Sequence, residues 1–238
     1  MISQFEIDWA IALQIERFLM TRTLTSAQAR AYYDGYGAKQ DTQGWYEDKA
    51  MDELCAHAAF QEAGAVLEFG CGTGKLAYRL LDEELPASAT YLGLDISSEM
   101  ISLSASRLEA FKDRAKVQLT DGEVTVDLPD ASCDRFVSTY VFDLLSEQDA
   151  SQILIEAHRI LKPGGRLCMA SLTEGRSRWS KLVSKSWAFV QRISPSTVGG
   201  CRPIIVDAHL DSTMWSIQHR KLLSAFGLPS EVLIAVKL

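Results

Sequence analysis

The sequence predicts an α/β fold of the doubly wound type: one mostly parallel sheet of seven strands, covered by helices and finishing in an antiparallel strand. Three observations carry the prediction. From Gly64 onward, short apolar runs alternate with amphipathic stretches, the texture of strands and crossover helices. A glycine-rich turn, GCGTG at 70–74, joins the first run to the first such stretch. The last two β-rich runs are separated only by AFGLPS, a link short enough for an antiparallel hairpin.

Taken in order, the parallel strands are expected at Val66–Phe69, Tyr91–Asp95, Lys116–Thr120, Asp134–Thr139 and Arg166–Leu172, each too short and too β-rich for a core helix. Helices are expected between them at Lys75–Glu84, Ser98–Lys112 and Glu147–Leu161, the last stopped sharply by Pro163, Gly164 and Gly165. Beyond Leu172 a long helical stretch over 178–193 precedes a short polar helix at Ala208–Thr213, and Trp215–Leu223 and Glu231–Lys237 form the hairpin. Upstream of Gly64 the chain reads as helical. Ile2, Phe5, Trp9 and Leu13 recur at spacings of three and four, and Asp48–Phe60 is rich in helix formers. Between these helices Gly35, Gly37 and Gly44 mark a bent connection.

The 238 residues suit one generous domain or one domain with an appendage, and 47% hydrophobic beside 23% charged residues is ordinary globular composition. A net charge of −7 disfavours a surface built to wrap a polyanion, though it leaves room for local basic patches, and nucleic acid is not the expected partner. The five cysteines lack close metal-type spacing and read as reduced thiols; no metal site is expected. Glu6, Asp8 and Glu16 interrupt the first apolar run, which is read as neither signal peptide nor membrane span, and the expected location is cytoplasmic.

The chemistry concentrates in VLEFGCGTGKLA (66–77), where an apolar strand leads through Glu68 into glycines and then a helix. Such a turn lets a ligand approach bare backbone beside unpaired helix N–H groups, which suits a phosphate or a carboxylate-bearing ligand. A P-loop is excluded, because the spacing from Gly74-Lys75 places Phe69 where glycine is required, and Leu76 where Ser or Thr is required. A dinucleotide fingerprint through Gly72, Gly74 and Ala77, with Asp95 downstream, stays open.

VLEFGCGTG, YLGLDISSEM (91–100), TDG (120–122), SCDRFVSTYVFDLL (132–145) and ILKPGG (160–165) together resemble the successive motifs of class I S-adenosylmethionine-dependent methyltransferases, over about residues 32–173. The resemblance implies a Rossmann-like seven-stranded domain over 63–238, carrying a basic amphipathic helix and loop insertion at 174–213 and preceded by an N-terminal helical lid or extension over 1–62. It also implies S-adenosylmethionine as cofactor and S-adenosylhomocysteine as product. The methionine part would lie against Gly70, Cys71, Gly72 and Gly74, with Glu68 near its ammonium and Asp95 on the ribose hydroxyls. Asp121 and Gly122 match the adenine end, Ile96 and Met100 are candidates to sandwich the ring, and Tyr33 and Thr139 complete the cofactor set. From the residues alone, Asp95 also reads as a helix cap, Asp121-Gly122 as a turn, and Ile96 and Met100 as core.

Transfer of a methyl from a sulfonium gains from positioning and desolvation and requires no metal. An acceptor that must lose a proton needs a base, for which Asp143 and His209 are the candidates. Tyr32, Tyr33, Tyr36, Trp45 and Tyr46 offer aromatic faces to a cation, or pin the N-terminal helices to the sheet. Arg176, Arg178, Lys181, Lys185, Arg192 and Arg202 lie in a segment without acids, opposite a stripe of Trp179, Leu182, Val183, Trp187, Val190 and Ile193. That segment reads as a sheet-covering helix, as a lid for a hydrophobic or anionic acceptor, or as a transient contact with an acidic membrane. The expected activity is methyl transfer to a small-molecule or lipid-like acceptor. A nicotinamide oxidoreductase and a non-catalytic cofactor-binding protein stand as alternatives, the former lacking a Tyr-x-x-x-Lys pair. Acceptor identity and oligomeric state are not specified by these motifs.

Overall fold

In this computed structural model the described residues are 23–175, 200–238 and, between them, 183, 186, 187, 189–191 and 193. The expected amphipathic run at the N-terminus, the side chains of Trp179 and Leu182, and those of Arg176, Arg178, Lys181, Lys185 and Arg192 lie outside them.

Helix α1 (Ser26–Tyr36) begins with a capping box in which Thr25 accepts from the Gln28 amide and the Gln28 side chain accepts from the Thr25 amide. A 3-10 segment (Gly37–Gln43) leads into α2 (Gly44–Ala58). The sheet then starts: β1 (Ala65–Phe69), α3 (Lys75–Arg79, continuing as a π-helical turn to Glu84), β2 (Thr90–Asp95) and α4 (Ser98–Arg107). There follow β3 (Ala115–Leu119), β4 (Cys133–Thr139), α5 (Glu147–Ile160), β5 (Leu161–Leu172), β6 (Trp215–Ala225) and β7 (Leu228–Lys237).

The seven strands lie in the order β3-β2-β1-β4-β5-β7-β6, all parallel except β7, which runs antiparallel to both neighbours. Both faces are covered. Tyr46, Ala50, Leu54 and Ala58 of α2 join Leu76 and Leu80 against Val66, Val137, Val232 and Ile234 on one face. On the other, Ala150, Ile153, Leu154 and Ala157 of α5, spaced by three and four, meet Leu67, Phe136, Leu167 and Leu233. Phe136 is wholly buried, which stabilises the fold by roughly 1.5–3 kcal/mol relative to an exposed ring.

Two boundaries differ from expectation. Pro163, Gly164 and Gly165 do not separate helix from strand; α5 passes directly into β5, where Leu161 already pairs with Cys133, and the next pair is Arg166 with Arg135. The Pro-Gly-Gly run is therefore an irregularity within the strand, bulging where an exposed backbone leaves the ladder. The hairpin link is also shorter than AFGLPS. Its strands reach Ala225 and Leu228, leaving Phe226 (φ 51°) and Gly227 (φ 91°) as a two-residue turn with both φ positive, the type I′ geometry that matches strand twist. The expected polar helix near residue 208 is a single 3-10 turn, Val206–His209. In the segment before it, Val183 and Trp187 pack toward the core, whereas Val190 and Ile193 are exposed, so the expected apolar stripe is not one continuous buried face.

Candidate functional site

Strand order reverses on either side of β1, so the loops after β1 and β4 diverge and leave a crevice at their carboxyl ends, the usual ligand position in such sheets. A cavity of about 350 Å³ occupies it. Its walls include Phe69, Gly70 and Gly72 after β1, Asp95, Ile96 and Met100 after β2, Thr120 and Gly122 after β3, and Thr139, Tyr140 and Val141 after β4. Tyr33 and Gln40 close it from the N-terminal segment.

The glycine loop is held open by the backbone. Gly70 and Cys71 amides both donate to Leu94 O (2.8 and 2.9 Å), tying the loop to β2. Gly70 has φ +80°, and a Cβ there would fall 2.2 Å from Val141 Cγ2. Gly72 has φ +52° and open space where a Cβ would point, so bare backbone faces the cavity. Asp95 ends β2 and accepts from the Gly72 amide at 2.8 Å and from the Ser97 amide at 2.9 Å. Burial raises its pKa, and the amides of Ser97, Gly72 and Ile96 oppose the rise by favouring the carboxylate. Each oxygen keeps a second lone pair for a ligand hydroxyl.

Of the residues expected at the cofactor, the structure brings Tyr33, Gly70, Gly72, Asp95, Ile96, Met100, Gly122 and Thr139 to one cavity. Four others are placed off its wall. Glu68 is 1% exposed beneath the loop, where it accepts from Tyr91 Oη at 2.6 Å, and burial pushes its pKa up to about 8. Its carboxyl, expected near a ligand ammonium, thus lies off the cavity wall and bonded to Tyr91 inside the sheet. Cys71 turns inward as well: a Cβ on Gly93 would lie 2.9 Å from its sulfur, so that glycine is what makes room for it. Gly74 caps α3 against Ser104, and the Asp121 side chain accepts from the Glu123 amide at 3.0 Å, as a turn does.

Neither candidate base is on the cavity wall. Asp143 is wholly buried, and burial raises its pKa to about 7 against the lowering effect of the Asp143 and Leu172 backbone and the Cys201 thiol. It lies in the loop after β4 but off the cavity wall, with its own carbonyl accepting from the Arg202 amide at 3.0 Å. His209 Nε2 lies 3.2 Å from Glu147, which also pairs with Arg202 at 3.0 Å, so the histidine fastens the 200–210 segment to the start of α5.

Sequence reasoning missed the residues that fix the N-terminal segment over the site. Arg30 of α1 donates to Ile96 O at 3.0 Å and to Thr120 O at 3.1 Å, bridging the ends of β2 and β3. Asp34 accepts from Ser97 Oγ at 2.6 Å and from the Glu99 amide at 3.3 Å, which lowers its pKa. Asp41 accepts from Thr73 Oγ1 in the glycine loop at 2.6 Å and pairs with Arg107 at 2.6 Å. Their partners lie tens of residues away, with no local pattern to reveal them. Tyr46 and Tyr140 meet edge to face with centroids 5.5 Å apart, and Tyr140, held at φ +56°, bonds Ser230 through its hydroxyl at 2.9 Å.

Sheet order, glycine loop and strand-end carboxylate define a Rossmann-like domain. Residues 66–165 match the family model described as a methyltransferase domain. The chain is 34% identical over 104 residues to the chloroplastic 2-phytyl-1,4-beta-naphthoquinone methyltransferase of Arabidopsis thaliana, covering 43% of this chain and 39% of that one. It is 28% identical over 156 residues to the malonyl-[acyl-carrier protein] O-methyltransferase of a Marinomonas species, covering 65% and 54%. Among solved structures, a SAM-dependent methyltransferase of Methanosarcina mazei shares the fold with a TM-score of 0.60 at 21% identity, covering 77% and 96%. Over this central part the chain is similar to S-adenosylmethionine-dependent methyltransferases, as its motifs imply. It spans about half the length of the curated relatives it matches.

Proposed function

We propose that this protein transfers the methyl group of S-adenosylmethionine to a small-molecule acceptor. The observation that carries the reading is Asp95, a carboxylate held by two backbone amides at the mouth of the cavity, beside a glycine loop that presents bare backbone. Bound there, the cofactor supplies an electrophilic methyl on a sulfonium. Asp95 would hold the ribose hydroxyls, Gly70 and Gly72 the methionine part, and Ile96, Met100 and Gly122 the adenine. The residues fit that group in character: open backbone for the polar chain, one acceptor pair for a diol, apolar side chains for a ring.

What the protein contributes on this reading is position and exclusion of water. Tyr33 and Tyr140 line the same cavity and offer aromatic faces to a cationic centre. The segment 23–43 acts as the lid, fastened by Arg30, Asp34 and Asp41, whereas α2 belongs to the core beneath it. Asp143 lies off the cavity wall and is not assigned as a base. The acceptor is small and partly apolar, a reading supported by Leu24, Leu144 and Leu145 on the cavity wall and by the relatives' quinone and acyl-carrier acceptors. No helix among the described residues is long and apolar enough to cross a membrane, and all five thiols are free, which supports a cytoplasmic setting.

Calorimetric titration with S-adenosylmethionine, S-adenosylhomocysteine and NADH tests the reading, using wild type and Asp95→Ala. Selective binding of the first two, weakened about 10- to 150-fold by loss of a charge-assisted contact, is the expected result. A radiolabelled-methyl screen over hydroquinones and small carboxylic acids then identifies the acceptor. Binding of NADH alone overturns the proposal; cofactor binding without transfer to any acceptor class reduces it to a binding protein.

A further inference from the structure

On the sheet edge away from the cavity, three side chains converge without a role in the site described above. Glu53 and His57 lie one turn apart on α2 and so share a face of the helix. His219 reaches them from β6, directly after a register shift between Ile217 and His219. Such a bulge re-aims the side chain that follows it. His57 Nδ1 lies 3.3 Å and His219 Nε2 2.9 Å from the same carboxylate oxygen, Glu53 Oε1. The two imidazoles stack with centroids 3.7 Å apart and planes 14° apart.

We propose that Glu53, His57 and His219 form a binding site for a divalent transition-metal ion of the zinc class. The spacing of the ligand atoms is the first argument. Bonds of about 2.0–2.1 Å to a tetrahedral ion place neighbouring ligand atoms about 3.3–3.4 Å apart; the histidine–carboxylate contacts here are 2.9 and 3.3 Å, and the imidazoles must turn out of their stack for both in-plane lone pairs to meet the ion. The ligand set is the second: two neutral imidazoles and one carboxylate with a fourth position toward solvent suit zinc. The Glu53 and His219 side chains are only 12% and 21% exposed, whereas His57 is 42% exposed and leaves an entry path.

The third argument is electronic. Glu53 Oε1 and His219 Nε2 are buried and in contact, yet neither has a hydrogen-bond partner of acceptable geometry. Two ligand atoms facing one another without an aligned proton are paired by a cation placed between them. Lys221 Nζ holds the other oxygen, Oε2, at 2.6 Å and so orients Oε1 toward the histidines, as an outer partner of a metal ligand does. That lysine is half-exposed, and water screens its charge from an incoming ion. In the ion-free state His57 Nδ1 is 3.0 Å from Glu53 O; metal binding through Nδ1 exchanges that contact for the metal bond and leaves the neutral ring's one proton on Nε2. A bound ion would clamp α2 to the outer strand, fixing the helix whose other end carries Tyr46 against Tyr140.

The full chain, treated with EDTA and dialysed, is titrated with ZnCl2 by calorimetry and with CoCl2 by visible absorption, and its melting is followed with and without ZnCl2. Wild type is expected to take up one Zn2+ per chain, melt higher with it, and give the absorption of low-symmetry cobalt. His57→Ala and His219→Ala are each expected to raise the Zn2+ dissociation constant at least about 10-fold, the loss that even an outer partner brings. S-adenosylhomocysteine binding, unchanged in both, reports that the variants fold; if either does not, His57→Gln or His219→Gln takes its place. No Zn2+ uptake by wild type, or equal uptake by wild type and the double histidine variant, overturns the proposal.

Discussion

Glu68→Gln tests where this side chain stands relative to the cofactor. In the structure the buried carboxyl has its pKa pushed from 4.5 up to about 8 by desolvation, against the lowering effect of the Tyr91 hydroxyl. The native state therefore holds a proton that the unfolded chain gives up at lower pH, and stability falls as pH rises between the two values. Integrating the two titration curves between about pH 5.5 and about pH 8.5 gives a loss of about 3 kcal/mol from this one group. Glutamine keeps an oxygen for Tyr91 and cannot ionise, so the variant should lack that loss. Urea unfolding of ligand-free protein at the two pH values reads the difference. Because Asp143 and Glu47, whose pKa values burial raises to about 7, contribute a slope of the same sign, the comparison is variant against wild type. At neutral pH the variant should bind S-adenosylhomocysteine as wild type does, because Glu68 is not on the cavity wall. An unchanged pH slope, or a tenfold loss of cofactor affinity (about 1.4 kcal/mol) at neutral pH, would refute the reasoning and return Glu68 to the ligand.

Gly70→Ala puts a methyl 2.2 Å from Val141 Cγ2 at φ +80°, so it should destabilise by about 1–3 kcal/mol and abolish detectable S-adenosylhomocysteine binding, read by thermal melting and calorimetry; a wild-type melting curve counts against the loop geometry. Asp41→Ala removes the tie among Thr73, Arg107 and the 3-10 segment; the Asp41 and Arg107 side chains are about a third exposed, so global stability should change little, whereas limited proteolysis within 23–43 should speed up and S-adenosylhomocysteine should protect less. Equal cleavage rates in variant and wild type would remove this residue from the lid.

The strands were legible because each is a short apolar run bounded by turn residues, and the glycine loop and Asp95 because strand, glycines and acid follow one another within thirty residues. Legibility failed where partners are distant. Glu68 at a strand end before glycine looks like a ligand contact; β1 is buried on both faces, so no alternation of polar and apolar residues says which way a side chain points. Its partner Tyr91 is known only once β2 is laid beside β1 in register, Glu68 opposite Gly93. The lid contacts of Arg30, Asp34 and Asp41 span the same kind of distance. Asp143 shows a related limit: a carboxyl after the fourth strand is near the site in chain order, yet the fold buries it off the cavity wall. Pro163-Gly165 misled for another reason, since a strand can carry a helix-stopping run wherever a bulge lifts it off the ladder.

The placement of β7 has a consequence for how the molecule assembles. The five parallel strands that carry the cavity end at β5, whose residues Leu167–Leu172 are wholly interior in the finished sheet. Before β7 arrives, that strand presents an apolar row of unpaired amides and carbonyls, the surface on which chains stick to one another. The hairpin of β6 and β7 joins neighbours in sequence through a two-residue turn, so it forms early, while its docking on β5 closes a long loop and comes late. Once docked, it moves the sheet edge outward to β6, a strand of Ser216, Gln218, His219, Arg220 and Lys221, whose polar and charged side chains discourage further pairing. The antiparallel strand thus acts as an adhesive seam with a repellent outer margin, and the hazard of a sticky edge is confined to the interval before the seam closes.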